Sequence, residues 1–126
     1  MAESSVQYPL SGVKVLELAT VIAAPSAARL LCAYGADVIK VETMTGDDLR
    51  YVGSFYDTPY ADFQNPTFTV QNSNKQLVAL NLKTEEGMGC FRRLLGQADI
   101  LITNLREEAL KRLNLHIGHC REAILA

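Results

Sequence analysis

No excess of basic residues is present: 12 Lys and Arg stand against 14 Asp and Glu, a formal net charge of −2. That removes the electrostatic case for a nucleic-acid partner, whose phosphates call for a basic face. Long apolar runs are missing too. The most apolar stretch, Ala19 to Ala33, is interrupted by Pro25, Ser26 and Arg29, short of the roughly 18 unbroken residues a membrane helix needs. The chain opens Met-Ala-Glu-Ser-Ser, without the positive region and apolar core of a secretory signal. Cysteine is too scarce and scattered for a disulfide framework: the three are Cys32, Cys90 and Cys120, an odd number at wide spacing. Cys32 and Cys90 fall within helical patterns and read as small hydrophobes. The expectation is a cytoplasmic protein with neither a membrane nor a nucleic acid as partner. Internal repeats, low-complexity tracts and the G-x-G-x-x-G fingerprint of dinucleotide sites are likewise absent.

What is present is enough for one domain. The chain has 126 residues, 48% apolar and 21% charged, a globular composition rather than a disordered one. Short β-branched runs alternate with helical segments. Val13 to Leu18 reads as a first strand, with Gly12 before it. A helix opened by Pro25 follows, with Ala27, Leu30, Leu31 and Tyr34 as its apolar stripe and Gly35 as its terminator. Asp37 to Glu42 is a second strand, closing a βαβ unit. From about Thr43 to Asn74 the pattern is irregular, with a short strand expected at Phe68 to Gln71; a loop this long is usually functional or conceals an element. Leu77 to Leu82 reads as a third strand. A helix capped by Thr84 then carries Met88, Phe91, Leu94 and Leu95 on one face, with Glu85 and Glu86 at the positive end of its dipole. Asp99 to Thr103 is a fourth strand, and Arg106 to Leu113 a short charged helix. The alternation predicts an α/β fold, Rossmann-like, with a mostly parallel sheet flanked by helices.

In such sheets ligands sit beyond the C-terminal strand ends, and three ends are candidates. Ala19 to Ser26, including Val21 and Ile22, joins the first strand to its helix through small side chains. It reads either as tight helix–sheet packing or as a place where a phosphate meets a helix N-terminus. Lys83 stands where the third strand hands over to a helix, as a phosphate partner or as a solvated charge. Asn104, Leu105 and Arg106 follow the fourth strand, with Arg112 two turns on. Asn104 reads as a helix cap or as a partner for an amide or purine edge, and the arginines as surface charges or phosphate ligands. His116, His119 and Cys120 do not match a standard zinc spacing, so no metal is expected. Asp47 and Asp48 could in principle supply a carboxylate nucleophile, but an exposed loop carboxylate salt-bridged to Arg50 is the expectation.

The order and spacing of several segments resemble the family III (CaiB/BaiF-type) CoA-transferases along most of the chain. The carriers are Leu10 to Leu18, Ala24-Pro25, Tyr34 to Glu42, Gly46-Asp47 with Arg50, Asn74-Lys75, Leu80 to Lys83, and Ala98 to Asn104. Gly35-Ala36-Asp37-Val38-Ile39-Lys40-Val41-Glu42 is the most specific piece. Glu17-Leu18-Ala19 with Ile22-Ala23-Ala24-Pro25 is most similar to the branch acting on 2-hydroxyacyl-CoA, aryl-lactyl transferases included.

The resemblance implies that residues 1–126 are the N-terminal Rossmann-like, coenzyme A-binding part of that fold, with the rest absent. CoA contacts would fall on Val21, Ile22, Leu80, Lys83, Asn104, Leu105 and Arg112, with Lys83 and Arg112 at the phosphates. It implies an interlocked homodimer in full-length members. It also implies a nucleophilic aspartate that attacks the acyl-CoA thioester to give a mixed anhydride. That aspartate is expected beyond residue 126, since none of Asp37, Asp47, Asp48, Asp57, Asp62 or Asp99 matches it. The family pattern has a glycine near Asn114, and the run from His116 to Glu122 departs from the usual segment, which suggests a truncated or frameshifted product. The readings are therefore a CoA-transferase part that binds CoA without turnover, a non-catalytic CoA or nucleotide module, a non-functional product, or a piece of the related α-methylacyl-CoA racemase branch.

Overall fold

A computed structural model describes residues 7–51 and 65–115. Four strands, β1 (Lys14–Leu18), β2 (Asp37–Glu42), β3 (Gln76–Ala79) and β4 (Ile100–Thr103), alternate with helices α1 (Ala23–Ala33), α2 (Pro66–Gln71), α3 (Glu85–Leu95) and α4 (Glu107–Arg112). The sheet is parallel throughout, in the order β3-β2-β1-β4. Lys14 to Glu17 stand opposite Asp37 to Lys40, and Val15 to Leu18 opposite Ile100 to Thr103. The chain runs outward from β1 to β3 and then returns across the sheet to β4. The topological switch point is therefore the crevice between β1 and β4.

Alternation along β1 and β2 sends neighbouring side chains to opposite faces. Val15 and Val38 pack with Ala28 and Ala36 on the α1 side. Leu16, Leu18 and Val41 pack with Met88, Phe91 and Leu95 of α3 on the other. Both faces are thus covered, as a parallel sheet requires.

Both α1 and α4 stop in the same way. Past α1, Gly35 at φ 98° lets its own N–H reach the Cys32 carbonyl and that of Ala36 reach Leu31. Past α4, Asn114 at φ 53° does the same for Lys111, and Leu115 for Leu110. These are the paired bonds of a Schellman ending. The residue following each turn, Ala36 or Leu115, is buried.

Four expectations need correction. The run Phe68 to Gln71 is not a strand but lies in helix α2, whose Asn65 side chain accepts the Thr67 N–H with Pro66 just inside the first turn. That start signal outweighs the β-branched Thr67, Thr69 and Val70. The stripe of α1 is also displaced: Pro25 and Ala28 are buried with Leu31 beside them, whereas Leu30 and Tyr34 are about half exposed. Helix α1 begins at Ala23 rather than Pro25, which is tolerated because N–H groups of the first turn have no intrahelical partner. Finally, β3 ends at Ala79 rather than Leu82. There Asn81 accepts the N–H of Lys83 on its side chain and that of Thr84 on its carbonyl, turning the chain off the sheet.

Candidate functional site

A cavity of about 600 Å³ opens at the C-terminal ends of β1, β2 and β3, within the usual size range of small-molecule sites. Leu18, Val41, Leu80, Leu82, Leu105 and Leu113 supply most of its apolar wall. Glu42, Asp48 and Lys83 supply charge. Three of the sequence candidates, Leu80, Lys83 and Leu105, are thus brought together although up to 25 positions separate them in the chain. The fold does this because β3 and β4, which precede these residues, run parallel and end on the same side of the sheet.

Beside the cavity, side chains from distant parts of the chain hold several backbone atoms of the loop from β1 to α1 and of the first turn of α1. Asn104 accepts the Thr20 N–H at 3.0 Å and donates to the Thr20 carbonyl at 2.8 Å, so its amide closes the switch-point crevice rather than capping α4. Asp47 accepts the Val21 N–H at 3.1 Å. Val21 sits at φ 65°, a left-handed conformation that is a genuine outlier for a β-branched residue. Lys40 donates to the Ala19 carbonyl at 2.7 Å, and Lys75 to the Pro25 carbonyl at 2.8 Å.

Behind this loop lies a buried chain of alternating charge, which the sequence reading missed. Lys40 binds Glu17 at 2.8 Å and Asp47 at 2.9 Å, and Lys75 binds the other oxygen of Glu17 at 2.7 Å. All four side chains are essentially without solvent contact. Two ammonium groups face two carboxylates, so the cluster is neutral as a whole, as burial of charge demands. A signal was available in Glu17 and Lys40, charged residues in the middle of apolar strand runs. Only the β1–β2 register, which sets them side by side, shows that they neutralise each other. Burial pulls the Lys75 ammonium below its usual pKa, against the opposing effect of its bond to Glu17. Burial also raises the Cys32 thiol, with Lys75 acting in the opposite sense. Cys32 is half-buried and donates to the Asn74 carbonyl.

The expectation for Asp47 is overturned. It lines the cavity but is 2% exposed, with both carboxylate oxygens engaged by Lys40, the Val21 N–H and the Leu49 N–H. Arg50 pairs instead with Glu42 at 2.8 Å and lies over the Phe68 ring. Asp48 is exposed at the cavity wall. Ile22 is the exposed residue before α1. Arg112 is exposed in the last turn of α4, next to the cavity-lining Leu113. Among the described residues no group of three or more His, Cys, Asp or Glu lies together as metal ligands would, and no helix is long and apolar enough to cross a membrane. His116, His119, Cys120, Asp57 and Asp62 lie outside the described residues.

Comparison with known proteins agrees with this fold. The profile of CoA-transferase family III matches residues 10–124. The chain is 43% identical over 106 residues to the (R)-2-hydroxy-4-methylpentanoate CoA-transferase of Clostridioides difficile, covering 84% of this chain and 27% of that protein. It is 46% identical over 112 residues to the cinnamoyl-CoA:phenyllactate CoA-transferase of Clostridium sporogenes, covering 89% of this chain and 27% of that protein. A crystal structure of a CAIB/BAIF family protein from Brucella suis superposes with a TM-score of 0.81 at 34% identity, over 93% of this chain and 31% of that one. The chain thus spans about 27% of the length of the curated relatives it matches. With sequence profile, relatives and fold in agreement, the chain belongs to CoA-transferase family III.

Proposed function

We propose that residues 1–126 form the N-terminal CoA-binding domain of a transferase that moves CoA between an acyl-CoA and a carboxylic acid, with 2-hydroxy acids as the acid class. The observation that carries this reading is the apolar cavity at the strand ends, with Lys83 on its wall and the immobilised Thr20–Ile22 backbone beside it. A loop already held in its binding conformation loses little entropy when a ligand docks. The names of the two clostridial relatives support the hydroxy-acid class. Val21, Ile22, Asn104 and Arg112 complete the proposed CoA contacts around Leu80, Lys83 and Leu105. The domain is proposed to act in the cytoplasm and to pair with a second copy in the complete enzyme.

Transfer itself requires a carboxylate that attacks the thioester carbon, forming a C–O bond as the C–S bond breaks and the CoA thiolate leaves. Asp47 is fully engaged elsewhere, and no aspartate of the chain matches the family's nucleophile. Assayed by itself, the 126-residue chain is therefore proposed to bind CoA and to transfer nothing.

Calorimetric titration with CoA tests this. Saturable binding is expected, weakened up to about fivefold in Lys83→Ala and in Arg112→Ala alike, because both side chains are exposed and an exposed pair contributes about 1 kcal/mol at most. A chain that unfolds cooperatively but takes up no CoA would sink the reading.

A further inference from the structure

One polar atom of a cavity-lining residue has no partner among the described residues. Glu42 closes β2 and lines the cavity, with its side chain 7% exposed. Its Oε2 accepts from the Arg50 guanidinium, at 2.8 Å from Nη2 and 3.2 Å from Nε. Its Oε1 is buried and has no hydrogen-bond partner among the described residues. Folded proteins rarely leave a buried acceptor unsatisfied, least of all on a carboxylate, so such an atom marks a place where something else binds.

The surroundings say what kind of group fits. A carboxylate oxygen only accepts hydrogen bonds, so its partner must bring an N–H or O–H. Its negative charge repels phosphate, which sends the diphosphate and 3′-phosphate of a nucleotide toward Lys83 elsewhere on the wall. The Arg50 charge does not reverse this, because it is directed at Oε2 and stacked 3.8 Å from the Phe68 ring centroid. Leu18, Val41, Leu80 and Leu105 offer aliphatic surface to a flat, weakly polar body. A base carrying an exocyclic amine satisfies all of these conditions.

We propose that Glu42 is a specificity-determining residue whose Oε1 accepts a hydrogen bond from the 6-amino group of the ligand's adenine. This rests on the reading of the cavity as a CoA site. The amide N–H groups of the pantetheine arm share the same donor chemistry, and the test separates the two sources.

The full chain is titrated with CoA, with a CoA analogue carrying unsubstituted purine in place of adenine, and with pantetheine. The wild-type chain is expected to prefer CoA over the purine analogue by about tenfold or more, the worth of a hydrogen bond to a charged group. In Glu42→Gln the side chain keeps its volume and a carbonyl for Arg50, but offers an N–H where Oε1 stood. The preference should fall to near one. Because each ratio is taken within a single protein, a general loss of stability in the variant cancels. Equal affinity for the two ligands in the wild-type chain overturns the proposal without needing a variant at all. So does a preference that survives Glu42→Gln, since another group must then read the amine. If Glu42→Gln weakens pantetheine as much as CoA, the oxygen serves an amide and the assignment to adenine is wrong. A wild-type chain that binds none of the three ligands fails at the earlier step, taking the CoA reading and this one together.

Discussion

Val21 stands in a backbone conformation that costs a non-glycine residue roughly 1–2 kcal/mol. Its N–H is held by a carboxylate, and a hydrogen bond to a charged group contributes about 1.5–3 kcal/mol, enough to offset the strain. That carboxylate is itself held by the Lys40 ammonium at 2.9 Å. The posture of the loop thus traces back to one ammonium in the middle of β2. Lys40→Met should leave Glu17 and Asp47 short of a shared counter-charge. Removing one member of a buried pair typically costs about 3–5 kcal/mol, a large share of the roughly 5–15 kcal/mol that holds a domain together. Urea unfolding should show the midpoint falling by a corresponding amount. An unchanged midpoint would mean that the carboxylates find water or protons at little cost, and that the charge chain is not what keeps the loop in place.

Helix α3 carries glycine at two interior positions that look equivalent in the sequence and are opposite in the structure. At Gly87 a Cβ would lie 2.1 Å from the Asn81 carbonyl oxygen, a backbone atom that cannot swing away. At Gly89 it would meet nothing within 4 Å. Gly89→Ala should therefore stabilise the chain by the ordinary helical increment of about 0.5–1 kcal/mol. Gly87→Ala should destabilise it by at least about 1–3 kcal/mol as the helix start is forced off the turn beneath it. Thermal unfolding of the two variants beside wild type decides the matter, and a shared sign would show that the close approach at Asn81 is not rigid. That approach matters to the site, since the same turn places Leu80, Asn81, Leu82 and Lys83 on the cavity wall. At this scale much was legible beforehand. The Thr84 cap and the apolar face of α3 follow from local spacing. Helix α2 was not legible as a helix, because its start signal, Asn65-Pro66, is two residues long while the β-branched residues after it suggest a strand.

Over the whole described molecule, apolar surface remains uncovered. Tyr8, Ile22, Leu30 and Tyr34 are between 42% and 56% exposed, and β3 and β4 are the outer strands of the sheet among the described residues. An exposed apolar helix face and open strand edges both favour association. The chain is accordingly expected to self-associate with rising concentration in sedimentation velocity, and Leu30→Lys to shift it toward monomer. A wild-type chain that stays monomeric at every concentration would show that this surface does not by itself drive pairing.

Local sequence by itself determined the alternation of strands and helices and the parallel α/β class, because periodicity, caps and turns are properties of a few neighbouring residues; the family followed from the resemblance of whole segments. Tertiary structure alone decided which side of α1 faces the sheet, that Asp47 is a buried brace rather than a surface carboxylate, and that Asn104 closes a crevice. It also decided that one oxygen of the cavity-lining Glu42 has no partner among the described residues. Each of these depends on partners that are distant in the chain, as Thr20 and Asn104 are. The energy of a buried charge or amide is set by what the fold brings against it.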